Sequence, residues 1–444
     1  MTDGPAPVHR PRVAMVVNNG MANDSRVIKS AVSLARAGAD VTAFGVASAG
    51  AAGAETTSGG AHFVRLPTFP RRGVTASYAA YAVRRRRGRL GPAERWRTSL
   101  AATTAYARAF VPALREHAPD VVHVHDVHVL GAVLEAWPDP ATRPAVVYDA
   151  HEYVADLAVS GARTRRVVDG WAALEAEVIP HVDRVITVAD GIARRLEAEH
   201  PLRAPVAVVH NAPLAWDHLR ASRDLRAEAG VGADTALAVY SGAVSAARGL
   251  DTVIDALPSA PGVHLAVVAV PHPHPMAPEL ERRAREAGVA DRLHLVPPVA
   301  SAEVPSYLSA ADVAVSPIHG DSASYDMALP NKLFEFIHAG LPIATSDIAA
   351  MAGFVREHGL GAVFRQRDAI DCACALVEVL ERVRVGEGPD PGVLARLRHE
   401  FSWQTQERHL VEVYRDLPSG ATAGLEVPDR PWHLEELQLD FGGA

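Results

Sequence analysis

The residues best suited to binding a ligand occur at the start of a predicted helix in the second half of the chain, in the segment ALPNKLFEFIHAG (from Ala328). The first backbone N–H groups of an α-helix have no partner within the helix, and the helix dipole attracts an anion to that end. In this segment those groups belong to Asn331, Lys332 and Leu333. Because the Lys332 side chain adds a full positive charge, the segment predicts an anion-binding site.

Two further side chains favour a nucleotide as the anion. Glu335 lies one turn into the same predicted helix, where its carboxylate can accept hydrogen bonds from a pair of ribose hydroxyls. Arg248 stands just before Gly249 and another predicted helix, and it offers a second cation for a diphosphate. The alternative interpretation is that Lys332 and Glu335 only cap and decorate the surface of a helix.

Histidines and carboxylates form a second group of reactive side chains, in the first half of the chain. Its members are His123, His125, Asp126 and His128 in HVHDVH, with Asp149 and His151 in DAHE. This composition leaves a metallohydrolase open as an alternative function, because imidazole and carboxylate groups are the usual ligands of zinc. The aspartate, however, comes one position too early for the metallo-β-lactamase pattern, and a buried histidine on a strand is more often simply hydrogen-bonded.

The elements that must position these residues alternate between short apolar strands and longer helices, as in doubly wound α/β folds. The predicted strands are RVAMVVN, ADVTAFGV, DVVHVH, AVVYDA, DRVITV and PVAVVH, then ALAVYSG, VHLAVVAV, DRLHLV, DVAVSP and PIATSD. They predict two Rossmann-like domains, 1–215 and 216–400. A helix over 401–417 is expected to pack back on the first domain. Residues 418–444, rich in glycine, proline and charge, are expected to form a flexible or loosely docked tail.

Polar residues gather at the carboxyl ends of these strands, where open parallel sheets bind their ligands. They are Asn18 to Gly20, His123 to Asp126 and Asp149 to Glu152 in the first half, and Ser241 to Gly242, Ser316 to Pro317 and Thr345 to Asp347 in the second. If the two sheet edges face each other, these residues line a single interdomain cleft.

Composition limits the class of protein. The net charge of −8 argues against a nucleic-acid binder, which normally carries a basic face. No apolar run reaches the ~18 residues typical of a membrane span, and the N-terminus has no apolar stretch typical of a secretory signal. The spacing of Cys372 and Cys374 predicts neither a disulfide nor a metal site. A cytoplasmic protein is therefore expected.

Lysine usage and one basic cluster add two weaker indications. Among 44 basic residues only Lys29 and Lys332 are lysines, which singles out Lys332, and Lys29 less strongly, as a ligand contact. Arg84 to Arg87 and Arg89 lie together beside Tyr78 and Tyr81. This cluster predicts weak contact with an anionic membrane surface at the inner face of the membrane, contact with an anionic acceptor, or a solvated helix face.

The second half resembles the donor domain of glycosyltransferase family 4, whose members have the GT-B fold of two facing Rossmann-like domains. The resemblance is carried by YSGAVSAARGLDTVIDAL, PSYLSAADVAVSPI and ALPNKLFEFIHAGLPIATSD. In the first half it is carried more loosely by NNGMANDSRVIKSAVSLARAGADVT, DVVHVHDVHVLG, VVYDAHEYV, DRVITVADGI and VVHNAP. It implies a retaining glycosyltransferase that uses a UDP- or GDP-sugar, needs no metal or other cofactor, and acts on an unknown acceptor.

The resemblance assigns the donor site residue by residue. The family's donor signature has two glutamates separated by seven residues; the second matches Glu335, but the first falls on Met327, beside Asp326. The family's two cationic phosphate contacts fall near Ala243 and on Arg248, so this sequence keeps only the second. The resemblance therefore implies a larger share of the diphosphate charge for Lys332.

The remaining assignments concern the nucleobase and the first domain. The resemblance places the nucleobase near Pro298 and Val299, the glycine loop at Asn19 and Gly20, and the active-site histidine at His151. Asp126 and Glu152 are candidates to position the acceptor, or else cap helices as such residues commonly do. A nucleotide-sugar epimerase and a non-catalytic nucleotide-sugar binding module, both on the same fold, are the further alternatives.

Overall fold

A computed structural model describes the following parts of the 444-residue chain: 10–47, 52–67, 83, 101–159, 163–216 and 219–441. The chain divides into two compact units, with Met1–Val209 and Gln406–Ala444 in unit 1 and His210–Thr405 in unit 2. Each unit is built on its own mainly parallel sheet, which confirms the expected α/β class. The basic cluster of Arg84 to Arg89 lies outside the described residues.

Unit 1 contains eight strands: β1 (Arg12–Val16), β2 (Asp40–Ala47), β3 (Glu55–Ser58), β4 (Ala61–Pro67), β5 (Val121–His125), β6 (Ala145–Ala150), β7 (Arg184–Thr187) and β8 (Ala207–Val208). They form one sheet in the order β3-β4-β2-β1-β5-β6-β7-β8. The pairs are parallel, except that β3 and β4 form an antiparallel hairpin. In register, His123 of β5 lies opposite Met15 of β1 and Val147 of β6.

Unit 2 contains six strands: β9 (Ala236–Gly242), β10 (Val263–Ala269), β11 (Leu293–Val296), β12 (Val313–Ser316), β13 (Ile343–Ser346) and β14 (Gly361–Phe364). They form a fully parallel sheet in the order β11-β10-β9-β12-β13-β14. The sheet separates two apolar clusters, one on each face. Burial on both faces explains why these strands read as continuous apolar runs.

The α-helices of the described residues are α1 (Ser25–Arg36), α2 (Ala101–His117), α3 (Val127–Ala136), α4 (Arg165–Val178), α5 (Asp190–Glu199), α6 (Leu225–Ala229), α7 (Leu250–Ala256), α8 (Ala277–Glu286), α9 (Val304–Leu308), α10 (Ala323–Met327), α11 (Asn331–Ala339), α12 (Ala349–Glu357), α13 (Ala369–Arg384), α14 (Pro391–Glu400) and α15 (Trp403–Arg415). Within the described residues, none combines the length and apolar character that crossing a membrane requires.

Local sequence signals explain most of these elements. Asp24 caps α1, because its carboxylate accepts a hydrogen bond from the N–H of Val27 at 3.2 Å. The eleven predicted strands are all present, although PVAVVH pairs only through Ala207–Val208. The β3–β4 hairpin and β14 were not predicted. The hairpin turns at Gly59 and Gly60, both at positive φ, a conformation that glycine adopts at little cost.

The C-terminal segment corrects the expectation of a loosely docked tail. Residues 418–441 pack on unit 1, where the Arg36 guanidinium donates to Glu436 at 3.0 Å and to the carbonyls of Arg430 and Pro431. The indole of Trp432 lies 4.4 Å from the same guanidinium and donates to Glu407 at 3.0 Å. The polar composition was misleading because the contacts of Arg36 with this segment join residues about 400 positions apart, which no local pattern reveals.

Trp432→Ala should destabilise unit 1 by about 3–5 kcal/mol, because the substitution removes a buried aromatic ring together with its hydrogen bond to Glu407. Denaturant unfolding followed at unit 1 measures the change. Trp432→Phe, which keeps a ring against Arg36, should lose less than half as much. Equal stability of Trp432→Ala and the native chain would mean that the segment is not docked in solution.

Candidate functional site

The start of α11 lies at the carboxyl edge of the unit 2 sheet. Leu333, Phe334, Phe336 and Ile337 are fully buried and fix the helix against the core. The N–H of Leu333 already donates to the carbonyl of Pro330 at 2.9 Å. This bond closes the first turn of the helix, and the assigned donor contact of Leu333 stays a prediction.

Lys332 points into the interior of unit 2, and its residue is only 7% exposed. Its Nζ has no hydrogen-bond partner among the described residues and lies 4.0 Å from the centre of the Tyr240 ring. A Cβ atom added to Gly242, whose φ is +120°, would lie 3.7 Å from Nζ. A buried ammonium without an acceptor is costly, and an anion bound beside Gly242 would satisfy it.

Two charged side chains near Lys332 affect its pKa as expected for a residue at an anion-binding site. Burial, reinforced by the positive charge of Arg248, holds the pKa of Lys332 well below its ordinary value of 10.5, while Glu335 partly opposes the shift. The structure thus brings together the three side chains that the sequence proposed for a nucleotide. A bound diphosphate would offset the repulsion between Lys332 and Arg248.

Arg248 ends a short 3₁₀ turn, Ala246–Arg248, and its guanidinium lies 5.2 Å from the centre of the Tyr325 ring. The next residue, Gly249, has φ +69°, and a Cβ there would lie 1.9 Å from the carbonyl oxygen of Pro317. Only glycine fits this close approach to the end of β12, so the turn that carries Arg248 is held in place. Each of the two cations therefore lies over a tyrosine ring.

The loop before α11 is also tied down. The N–H of Gly320 donates to Gln366 Oε1 at 2.6 Å, and a Cβ on Gly320 would lie 2.9 Å from Asp326 Oδ1. Met327 ends the short helix α10, whose cap is Ser322. Pro298 and Val299 follow β11 and are half-buried, while Asn331 is exposed. The assigned roles of these three residues stay predictions.

In unit 1, Asp149 at the end of β6 is fully buried and lies at the centre of a charge network. The Arg26 guanidinium donates to both of its oxygens, each at 2.7 Å, and also to the carbonyl of Val209 at 2.7 Å. Burial opposes ionisation of Asp149, but Arg26 first, and then His151, hold its pKa well below the ordinary value of 3.8. Asp149 is therefore a carboxylate at neutral pH.

Three imidazoles surround Asp149 Oδ2. His123 Nε2 lies at 3.5 Å, His125 Nδ1 at 3.3 Å and His151 Nε2 at 3.3 Å. The Nδ1 of His123 is 2.8 Å from the hydroxyl of Tyr414 in α15. Burial, together with the proximity of His125, lowers the pKa of His123 to about 4, so His123 is neutral at pH 7.

His151 is the member of this group that reaches the surface, with 20% of its side chain exposed. Its Nδ1 lies 3.6 Å from Asp126 Oδ1. Burial lowers the pKa of His151, but Asp126 and Asp149 outweigh burial and raise it to about 9. His151 is therefore a cation at neutral pH, and Glu152 beside it is exposed.

The geometry does not favour the metallohydrolase. Among the described residues, His123, His125 and Asp149 are the group whose ligand atoms lie close enough to hold a metal ion. Both oxygens of Asp149 are, however, already bound by the Arg26 cation. His128 lies elsewhere, with its ring 4.5 Å from that of Trp171. The HVHDVH segment therefore does not act as a single ligand set.

The glycine loop of unit 1 is ordered by polar contacts. The Asn19 side-chain amide donates to Asp24 at 2.8 Å and its Oδ1 accepts from the N–H of Met21. The carbonyl of Gly20 accepts a hydrogen bond from Arg65 Nε at 3.1 Å, and Phe441 stacks on Arg65 at 3.6 Å. The proposed donor contact through Asn19 and Gly20 stays a prediction.

Sequence reasoning missed several residues that shape these sites. They are Arg26, Tyr240, Tyr325 and Tyr414. For Arg26 a signal exists, because it stands in the first turn of a helix that follows a polar strand end. For the tyrosines no signal exists, since aromatic residues in apolar runs are ordinary core residues.

Comparisons with known proteins agree with this architecture. The model of Glycosyltransferase Family 4 matches residues 26–212, and that of Glycosyl transferases group 1 matches residues 235–382. The D-inositol 3-phosphate glycosyltransferase of Mycolicibacterium smegmatis is 26% identical over 242 residues, which are 54% of this chain and 53% of the relative. That of Mycobacterium tuberculosis is 27% identical over 250 residues, 54% of this chain and 50% of the relative. The chain thus spans about half the length of the curated relatives it matches.

Solved structures share the fold at low sequence identity. Sucrose-phosphate synthase from Thermosynechococcus elongatus superposes with a TM-score of 0.71 at 17% identity, covering 91% of this chain and 98% of that one. HepE of Anabaena, solved in complex with UDP-glucose, superposes with a TM-score of 0.65 at 15% identity, covering 92% and 100%. With adjoining family models over both units and GT-B enzymes as structural neighbours, the chain belongs to glycosyltransferase family 4 and has the GT-B fold.

Proposed function

We propose that this protein is a retaining glycosyltransferase that takes a sugar from a UDP- or GDP-sugar. The observation that carries the proposal is the Lys332 ammonium, which is buried without a hydrogen-bond partner among the described residues beside Gly242 and the start of α11. Arg248 lies close enough to lower the pKa of Lys332, and Glu335 lies one turn along the helix. A diphosphate would supply the acceptor that Lys332 lacks among the described residues, and an adjoining ribose would offer its hydroxyls to Glu335.

The proposed reaction breaks the bond between the anomeric carbon and the diphosphate oxygen and forms a bond to an acceptor oxygen, nitrogen or sulfur on the same face. The acceptor proton passes to the departing phosphate. Lys332 and Arg248 stabilise the negative charge that develops on the leaving group, an effect that is large when cations are preorganised in a dry site. Because protein cations meet this charge, the reaction is expected to need no metal.

The substrates are proposed by class. A structural neighbour solved with UDP-glucose supports a UDP-sugar donor. The inositol phosphate glycosyltransferases among the relatives make a phosphorylated polyol the first acceptor to test, alongside glycans, lipids and small natural products. Met327 removes the first glutamate of the family signature, which favours a donor sugar bound differently from the family pattern, with Asp326 as the neighbouring carboxylate.

Thermal unfolding with UDP, GDP, dTDP and ADP, each with and without EDTA, tests the donor site. One nucleotide should raise the melting temperature in both conditions, because a ligand at 100 times its Kd stabilises the folded state by about 2.7 kcal/mol. Glu335→Ala should melt like the native protein without ligand and lose most of the shift. The retained configuration is read from the anomeric NMR signals of the product.

Two outcomes would contradict the proposal. If no nucleotide shifts the melting temperature and chelation alone lowers it, a metal-dependent function in unit 1 replaces the transferase. If a nucleotide binds but no sugar is transferred to any acceptor class, the protein is a binding module on this fold.

A further inference from the structure

Asp126 has a backbone conformation that an aspartate at a helix start does not need. It precedes α3 with φ +67° and ψ 155°, and its side chain makes no capping hydrogen bond. An ordinary aspartate at this position has negative φ and accepts from the second or third helical N–H. A non-glycine residue at positive φ costs on the order of 1–3 kcal/mol, and such strain persists where the surrounding structure imposes it, often at functional sites.

The strained backbone directs the carboxylate toward His151. The N–H of Asp126 donates to the carbonyl of Asp149 at 3.1 Å, which ties the turn to the end of β6. From there Asp126 Oδ1 faces His151 Nδ1 at 3.6 Å, while Asp149 Oδ2 faces Nε2 at 3.3 Å. His151 thus stands between two carboxylates, one at each ring nitrogen.

The two carboxylates are not equivalent. Asp149 is neutralised by the bidentate contact with Arg26, which binds both of its oxygens and lowers the pKa of His151. His125 also faces His151, with its Nδ1 3.3 Å from Nε2. Within the described residues no arginine pairs with Asp126 in this way, so Asp126 supplies the charge that decides the protonation of the ring.

We propose that Asp126 is a positioning residue, whose carboxylate, aimed by its strained backbone, holds His151 as an oriented imidazolium cation. This inference deepens the proposed transferase and rests on it only for its effect on catalysis. The gap of 3.6 Å is longer than a hydrogen bond, so Asp126 keeps the ring charged and leaves the Nδ1–H able to donate to a substrate oxygen. The sequence suggested that Asp126 binds the acceptor; in this proposal Asp126 acts through His151 instead.

Asp126→Asn tests the proposal, because asparagine has nearly the same shape as aspartate and lacks its charge. With [15N]histidine labelling and His151→Gln to assign the signal, His151 of the native protein should titrate near pH 9. In Asp126→Asn the pKa of His151 should fall from about 9 toward its ordinary value of 6.5. Asp139→Asn, a change of an exposed carboxylate in the same unit, should leave the titration unchanged.

Kinetics add a second readout. If the pKa falls from about 9 to about 6.5, the protonated fraction at pH 8 falls about 30-fold, whereas at pH 6 it falls less than 2-fold. The kcat of Asp126→Asn should follow these factors, with the KM for the donor unchanged.

An unchanged titration of His151 overturns the inference whatever the enzyme activity. A raised acceptor KM with an unchanged pH profile also overturns it and returns Asp126 to acceptor binding. If no transfer is observed, the titration alone decides, so failure of the proposed function is distinguishable.

Discussion

Lys332→Met should make the protein more stable and, at the same time, nearly inactive. The ammonium of Lys332 is buried without a hydrogen-bond partner among the described residues. Methionine fills a similar volume without the cost of burying a charge. Replacing buried ionic groups such as ion pairs by apolar side chains of similar volume can stabilise a protein by about 1–4 kcal/mol. The transfer rate should fall about 100- to 1,000-fold, as when a preorganised charge-stabilising group is removed.

The pH dependence separates this explanation from a general packing effect. The pKa of Lys332 is lower in the folded state than in the unfolded state, so between these two values the unfolded chain binds more protons. The cost of burying the Lys332 charge therefore decreases as the pH rises between these two pKa values. It is fully removed only above the unfolded value of 10.5. The advantage of Lys332→Met, measured by denaturant unfolding, should shrink as pH rises from 7 toward 10.

Arg382→Met is a matched control, since it removes an exposed cation from the same unit. It should change the stability by no more than about 0.5 kcal/mol and leave the activity unchanged. Loss of stability in Lys332→Met would show that the amine is satisfied in the folded protein and contributes to folding. Full activity of the variant would remove Lys332 from the donor site, whatever its stability.

The opposite effects expected at Lys332 illustrate how much of this site local sequence can reveal. A lysine after proline and asparagine at a helix start is visible in the sequence, because anion binding at such a position depends on the first turn alone. Its tyrosine support is not visible: Tyr240 lies 92 positions earlier on β9, and only the packing of α11 against the sheet brings the two together.

In unit 1, too, contacts between residues far apart in the sequence could not be predicted. The polar ends of β5 and β6 were correctly placed at one sheet edge, because parallel strands bring their carboxyl ends together. The protonation states were not predictable, since they depend on Arg26, which is 123 residues from Asp149, and on the strained backbone of Asp126. A composition of four histidines and two aspartates suggested a metal, whereas Arg26 already binds one of the aspartates, Asp149.

A buried carboxyl group beside this network gives the second large effect. Glu175 on α4 is 1% exposed, and its Oε1 accepts a hydrogen bond from the hydroxyl of Tyr148 at 2.6 Å. Burial raises its pKa to about 7; the hydrogen bond from Tyr148 opposes this shift, and the charges of Glu199 and Asp126 add to it. At neutral pH the group is therefore close to half protonated, in a position where its charge is poorly solvated.

Glu175→Gln should stabilise unit 1 above pH 8 and leave it almost unchanged at pH 5. The folded pKa is raised, so between the ordinary value of 4.5 and about 7 the folded state binds the proton more tightly, and native stability falls as pH rises through this window. A shift of this size corresponds to a loss of about 3 kcal/mol in the stability of the native protein by pH 8. A neutral glutamine does not undergo this loss, and its carbonyl still accepts the Tyr148 hydrogen bond.

Denaturant unfolding of unit 1 at pH 5, 6.5 and 8 measures the difference, with Glu116→Gln, an exposed change on α2, as the control. A constant difference across the three pH values would mean that Glu175 keeps an ordinary pKa and that water reaches it, and the low solvation inferred for the region around Tyr148 would then be wrong.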